Sequence, residues 1–217
     1  MRRIVASVLM ACVAAAFLMT TGCASQKRVA LWNGRDFAGW KFFLRGDDVD
    51  AVDVWSVENG VIHCKGKPNG YMRTTADYSN YKLHLEWRWA AEPTNSGVLL
   101  HTSGPDHVWP RSIECQLQAG NAGDFWLIGG TAITVDGKRV ESPGRPTRSI
   151  KKAQSSEKAP GQWNAYDIIC RGDTITCYVN GVLQNRGTNA SDTSGKICLQ
   201  SEGSPIEFRN IYIEHLD

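Results

Sequence analysis

Residues 95–118 read NSGVLLHTSGPDHVWPRSIECQLQ. Two apolar-rich runs flank a polar loop: Val98-Leu99-Leu100-His101 and Ile113-Glu114-Cys115-Gln116-Leu117-Gln118. Both have strand length, and a strand sends successive side chains to opposite faces. Ile113, Cys115 and Leu117 then share one face, and Glu114, Gln116 and Gln118 the other. In the first run Val98 and Leu100 oppose Leu99 and His101. With each apolar set against a core, His101 and Glu114 point to one open sheet face, under Trp109. A histidine and a carboxylate on a rigid platform suggest a polar site.

The flanking sequence repeats the strand pattern. In Tyr81–Trp89, Tyr81, Leu83, Leu85, Trp87 and Trp89 alternate with Lys82, His84, Glu86 and Arg88. Asn59-Gly60, Asp136-Gly137 and Asn180-Gly181 sit between strand-like runs, the strongest short hairpin signal. Gly172-Asp173 joins Trp163–Arg171 to Thr174–Asn180, and Lys196–Glu202 and Ile206–Glu214 close the chain. No helical periodicity appears outside the first residues, and there is no internal repeat. Short strands at regular spacing predict an all-β, two-sheet antiparallel sandwich. Gly120–Arg148 is loop-rich, and long loops on a β-scaffold commonly carry binding function.

The chain has 217 residues, 24 basic and 22 acidic, with a hydrophobic content of 42%. That is enough for one domain with a full core. No basic field is present, which argues against a nucleic-acid partner. The basic run Arg145–Lys152 reads as a solvated loop. Nothing signals an oligomer interface.

Residues 1–22 read as an export signal: Arg2 and Arg3, then an almost wholly apolar run, then Leu18-Met19-Thr20-Thr21-Gly22-Cys23. Small residues before a cysteine resemble a lipobox, which would make Cys23 the lipidated N-terminus of a lipoprotein. Ala24 and Ser25 follow, so the expected anchor is the outer membrane, facing periplasm or surface. Residues 23–29 form a tether and 30–217 the domain. Cys64, Cys115, Cys170, Cys177 and Cys198 remain, an odd number for an exported protein. Most fall at apolar-parity positions. Cys170 and Cys177 lie diagonally across one hairpin, where a bridge is an option.

Several stretches together resemble the 3-keto-disaccharide hydrolase domain family. They are LWNGRDFAGW, WSVENGVIHC, YKLHLEWRWA, NSGVLLHTSG, IECQLQAG, PGQWNAYDIICRGDTITCYVNGVLQ and GKICLQSEGSPIEFRNIYIEHL, in the family's order across nearly all of 30–217. The resemblance implies a concanavalin A-like jelly roll. It also implies cleavage of glycosides already oxidised at carbon 3, by hydrolysis or by elimination then hydration. Two departures stand out: His101 lies near a position where the family often has arginine, and Glu202 near one where it often has histidine.

The implied chemistry needs a base for the proton on carbon 2, a group to hold the enolate, and an acid for the leaving oxygen. His101 or Glu114 could be the base, and the other could hold a divalent cation that polarises the ketone. Glu202 is the candidate acid. Gln116 and Gln200 are candidates for sugar hydroxyls, Trp109 and Trp126 for stacking, and Lys151 for the enolate charge. Glu86 and Arg88 are further substrate-binding candidates, or simply a surface pair. Two other readings stand beside this one. One is a two-carboxylate glycoside hydrolase using Glu114 with Glu202 or Glu86. The other is a carbohydrate-binding lipoprotein without catalysis.

Overall fold

The computed structural model describes residues 27–217. Its strands are β1 (Arg28–Ala30), β2 (Trp40–Leu44), β3 (Trp55–Glu58), β4 (Val61–Cys64), β5 (Gly70–Thr74), β6 (Tyr81–Trp89), β7 (Gly97–Ser103), β8 (Arg111–Gln116), β9 (Phe125–Ile128), β10 (Ala132–Val135), β11 (Lys138–Glu141), β12 (Thr147–Ser149), β13 (Asn164–Arg171), β14 (Thr174–Val179), β15 (Val182–Gly187), β16 (Lys196–Ser201) and β17 (Ile206–His215). One sheet of eight strands runs β15-β14-β13-β6-β17-β4-β3, with β1 added on β17. A second, of seven strands, runs β12-β9-β8-β7-β16-β5-β2, and β10-β11 form a separate ribbon. The pairings within these sheets are antiparallel. This is the jelly-roll sandwich the sequence predicts.

Local chemistry explains the elements. Asn59-Gly60, Asp136-Gly137 and Asn180-Gly181 all have positive φ at both residues. That is the turn whose twist matches two right-twisted strands, so each pair closes its hairpin. Along β6 the alternation is complete: Tyr81, Leu83, Leu85, Trp87 and Trp89 are buried, while the residues between are half-buried on the outer face. The inward set meets Val98, Leu100, Ile113, Cys115 and Phe125 of the other sheet in one core. Trp87 and Tyr166, both fully buried, pack at a ring separation of 5.5 Å. Burying rings of this size contributes roughly 2–3 kcal/mol each.

The sequence reading needs one correction in β7. Pairing with β8 shifts register between Leu100 and Ser103, and pairing with β16 shifts between Lys196 and Cys198. His101 takes a left-handed φ of 54° at this irregularity. The extra residue breaks strict alternation. His101 therefore turns inward against Tyr81, with ring centroids 5.9 Å apart, and is fully buried.

Candidate active site

On the seven-stranded sheet, strand register brings two rows of open-face residues together. One row runs Trp126, Glu114, Leu99, Cys198 across β9, β8, β7 and β16. The next places Gln116 opposite Gly97, with Gln200 opposite Tyr71 on the neighbouring pair. A Cβ on Gly97 would stand 2.0 Å from Glu114 Oε1 and 2.4 Å from Gln200 Oε1. The absence of a side chain there is what lets both oxygens fold over the strand. Beneath them lies an apolar floor of Tyr71, Leu99, Ile128 and Cys198, with Phe43 and Trp126 at its margin.

The cleft over this platform holds about 420 Å³ and is lined by Asn95, Glu114, Gln116, Trp126, Arg145 and Glu202, among others. One wall is the β7–β8 loop, which folds back over the sheet. Asp106 latches it: its carboxylate accepts from the Tyr71 hydroxyl at 2.8 Å and from Arg73 Nε and Nη2, each at 2.9 Å. Three residues on, Trp109 Nε1 donates to Glu202 at 3.3 Å, and its ring stays 42% exposed. The opposite wall is the turn carrying Arg145 and Pro146. Asp124, fully buried and paired with Arg148 at 2.6 Å, supports β9 and β12 beneath that wall.

Several polar atoms here are buried and unpartnered within the protein: Glu114 Oε1, Gln200 Oε1, Asn95 Oδ1 and Trp126 Nε1. Buried polar atoms ordinarily find partners; the core holds orphans too, such as Trp87 Nε1 and His101 Nε2, but these four gather at and beside one cleft, where a polar ligand could satisfy them. Burial pushes Glu114 well above the usual carboxylate range, and the nearby Glu202 adds to this. Burial also raises Glu202, against the lowering hydrogen bonds from Trp109 and Asn95. Two acids in different settings can hold different protonation states at one pH. Gln116 is less free than its position suggests, since its Oε1 accepts from the backbone N–H of Leu117 and Gln118.

The structure thus gathers Glu114, Gln116, Trp109, Trp126 and Glu202 in one cleft, with Gln200 beside Glu114. Other sequence candidates lie elsewhere. His101 sits behind the sheet, its Nδ1 2.9 Å from the Asp192 carbonyl and its pKa lowered by burial. Glu86 accepts from Arg209 at 2.6 Å and Asn210 at 2.8 Å, on the outer face of the eight-stranded sheet. Arg88 pairs with Glu207 on that same face and covers Trp163. Alternation along β6 points both residues away from the core, and that core separates them from the cleft. Lys151 Nζ donates to the carbonyls of Gly120 at 2.8 Å and Ala122 at 3.2 Å, so it braces a loop outside the cleft lining. Cys23 and the export signal expected over residues 1–22 lie outside the described residues. Among the described residues no three His, Cys, Asp or Glu side chains converge as metal ligands.

Arg145 was legible only as part of a basic run. It lines the cleft and has no ion pair among the described residues. Asn95 and Gly97 open the very stretch that carries Glu114, and their neighbourhood was the available signal.

A jelly roll with a cleft of two acids, two indoles and free amide oxygens defines a glycan-directed domain, hydrolytic or binding. The chain belongs to the 3-keto-alpha-glucoside-1,2-lyase-like domain family, whose model matches residues 27–214. Among solved structures it is similar to two Parabacteroides distasonis proteins described as candidate glycosyl hydrolases. The first is 25% identical, with 88% of this chain and 94% of that one covered at a TM-score of 0.64. The second is 26% identical, with 82% and 99% covered at a TM-score of 0.58. The Bacillus subtilis carbohydrate-binding module CBM66 shares the fold alone, at 11% identity, 81% and 95% coverage and a TM-score of 0.58. No curated protein sequence matches the chain.

Proposed function

We propose that this cleft breaks the glycosidic bond of 3-keto-glycosides by elimination. One observation carries the reading: Glu114, 5% exposed and with one buried carboxyl oxygen unpartnered, lines a sugar-sized cleft together with a second acid and an arginine. Glu202, the more accessible acid, is the base. It takes the proton on carbon 2, which the neighbouring ketone acidifies, and Arg145 faces the charge that develops on the carbon 3 oxygen. The enolate then reforms the ketone, a double bond forms between carbons 1 and 2, and the bond from carbon 1 to the glycosidic oxygen breaks. Glu114, held protonated by burial, gives its proton to that departing oxygen. Addition of water across the new double bond completes a net hydrolysis. Trp109 and Trp126 offer apolar faces to the ring, and Gln200 and Asn95 offer acceptors to its hydroxyls.

The reading extends to export, from the leader over 1–22, and to a lipid anchor at Cys23 on the outer membrane. Incorporation of labelled palmitate, lost in Cys23→Ser, tests the anchor.

The activity is tested with a 3-keto-disaccharide and its unoxidised parent, each with and without a chelator. Release from the keto sugar alone, with solvent deuterium entering carbon 2, is the expected result. Release from the parent overturns it in favour of two-carboxylate hydrolysis, and binding without release in favour of a binding module. Sensitivity to the chelator would put a cation beside Glu114.

A further inference from the structure

We infer that Cys115 and Cys177 are joined by a disulfide that ties the two sheets together, an inference that rests on the export proposed above. Cys115 lies on β8 of the seven-stranded sheet and Cys177 on β14 of the other. Their Sγ atoms stand 3.0 Å apart in the closed core, and both residues are fully buried. At that distance the two thiols are in direct contact across the core, and either can donate to the other. A small approach brings them to the disulfide bond length of about 2.05 Å. A bond across a sandwich is sterically sound, since immunoglobulin domains join their sheets in this way.

The other described cysteines have separate surroundings. Cys198 Sγ donates to the Thr102 hydroxyl at 3.2 Å, and Cys64 Sγ accepts the Gly66 N–H at 3.4 Å. Cys170 lies beside the Tyr81 hydroxyl. The odd cysteine count therefore divides into one cross-sheet pair and three buried singles. The hairpin bridge between Cys170 and Cys177, open from the sequence, gives way to a partner from the opposite sheet.

Formation removes two electrons and two protons from the thiols. The electrons pass by thiol–disulfide exchange to the disulfide of a dithiol oxidoreductase, which is reduced to its dithiol. Because the folded core excludes reagents, exchange takes place before the sheets close, and the finished bond is structural. It fixes β8 beside Glu114 and Gln116, so it also steadies the strand that carries the cleft acid.

The test is peptide mapping. The full chain is isolated from the envelope of an export-competent host, denatured without reductant, alkylated and digested. The expected product is one linked peptide pair, Cys115 to Cys177, with Cys64, Cys170 and Cys198 alkylated. Refolding the reduced chain in a glutathione redox buffer should give the same linkage, whatever compartment the protein occupies. Reductant should lower the Tm by about 10 °C, as expected for a loop of this length. In C115A/C177A it should leave the Tm unchanged. Alkylation of all five cysteines in both preparations, or a Cys170–Cys177 linkage, overturns the inference.

Discussion

The side chain that Gly97 lacks would stand 2.0 Å from Glu114 Oε1. The same Cβ would meet Gln200 Oε1, so one glycine sets the position of both acceptors at the centre of the cleft. The obstructing atoms are the ends of flexible side chains, which can swing away without opening the core. Gly97→Ala should therefore keep its Tm within a few degrees while kcat/KM on the 3-keto-glycoside falls about 100-fold, the scale of misplacing a reacting group by about 1 Å. A large Tm loss with activity retained per folded molecule would show that Gly97 serves packing instead.

Glu114 should make the protein less stable than it need be. Folding raises its pKa, so the native state keeps a proton that the unfolded chain releases. Its contribution to stability is then greatest below the ordinary glutamate value of 4.5 and falls as pH climbs toward the folded pKa. Glu114→Gln removes that penalty, and should be more stable than the parent at pH 7 by about 1–3 kcal/mol in denaturant melts. Its turnover should be lost. In the parent, activity should rise as Glu202 ionises and fall as Glu114 does, giving a bell with two macroscopic pKa values. Equal stability of parent and variant across pH 4–8 would mean that Glu114 is already ionised in the native state.

The sequence and the structure agree where local rules are sufficient. Alternation in β6 and three positive-φ Asn-Gly or Asp-Gly turns depend on a few neighbouring residues. The same parity put Glu114 and Gln116 on the open face. It failed for His101 because the irregularity in β7 is held from β16. A Cβ on Gly195, the residue before β16, would lie 2.5 Å from the His101 carbonyl carbon, so the chain entering β16 packs tightly against β7 where the register shifts. That contact spans more than ninety residues of sequence and has no local signature. Arg145 was missed for a related reason. A charged residue in a turn looks the same whether the turn faces water or bends over a cleft.

His101 should influence stability rather than chemistry. Burial lowers its pKa, so the folded protein holds it neutral while the unfolded chain protonates near its ordinary value of 6.5. That contribution is present above this value and is lost as pH falls through the folded pKa. His101→Asn keeps a residue tolerant of the left-handed backbone. It should lower stability by about 1 kcal/mol at pH 7 through the lost carbonyl bond, and flatten the decline on acidification. Its kcat/KM at pH 7 should stay within twofold of the parent. A tenfold fall in kcat at unchanged Tm would return His101 to the catalytic group.

Asp106 should act as the latch of the Trp109 wall. Its carboxylate joins the β7–β8 loop to Tyr71 and Arg73 on β5, and that loop holds the indole over Glu202. The pair with Arg73 is bidentate, which fixes direction as well as distance. Asp106 does not line the cleft itself, so its loss should act through Trp109. Asp106→Ala should raise KM about tenfold with a smaller fall in kcat, because a loosened indole still reaches the sugar but is ordered only at the cost of binding energy. Trp109→Ala should raise KM by a similar amount, and the double variant should be little worse than either single, since both remove one function. Additive losses in that cycle would instead mean that Asp106 contacts the substrate or serves a separate site beyond the loop. Tryptophan fluorescence gives an independent reading: Asp106→Ala should weaken the emission change that sugar binding produces, and Trp109→Phe should remove Trp109's share of it.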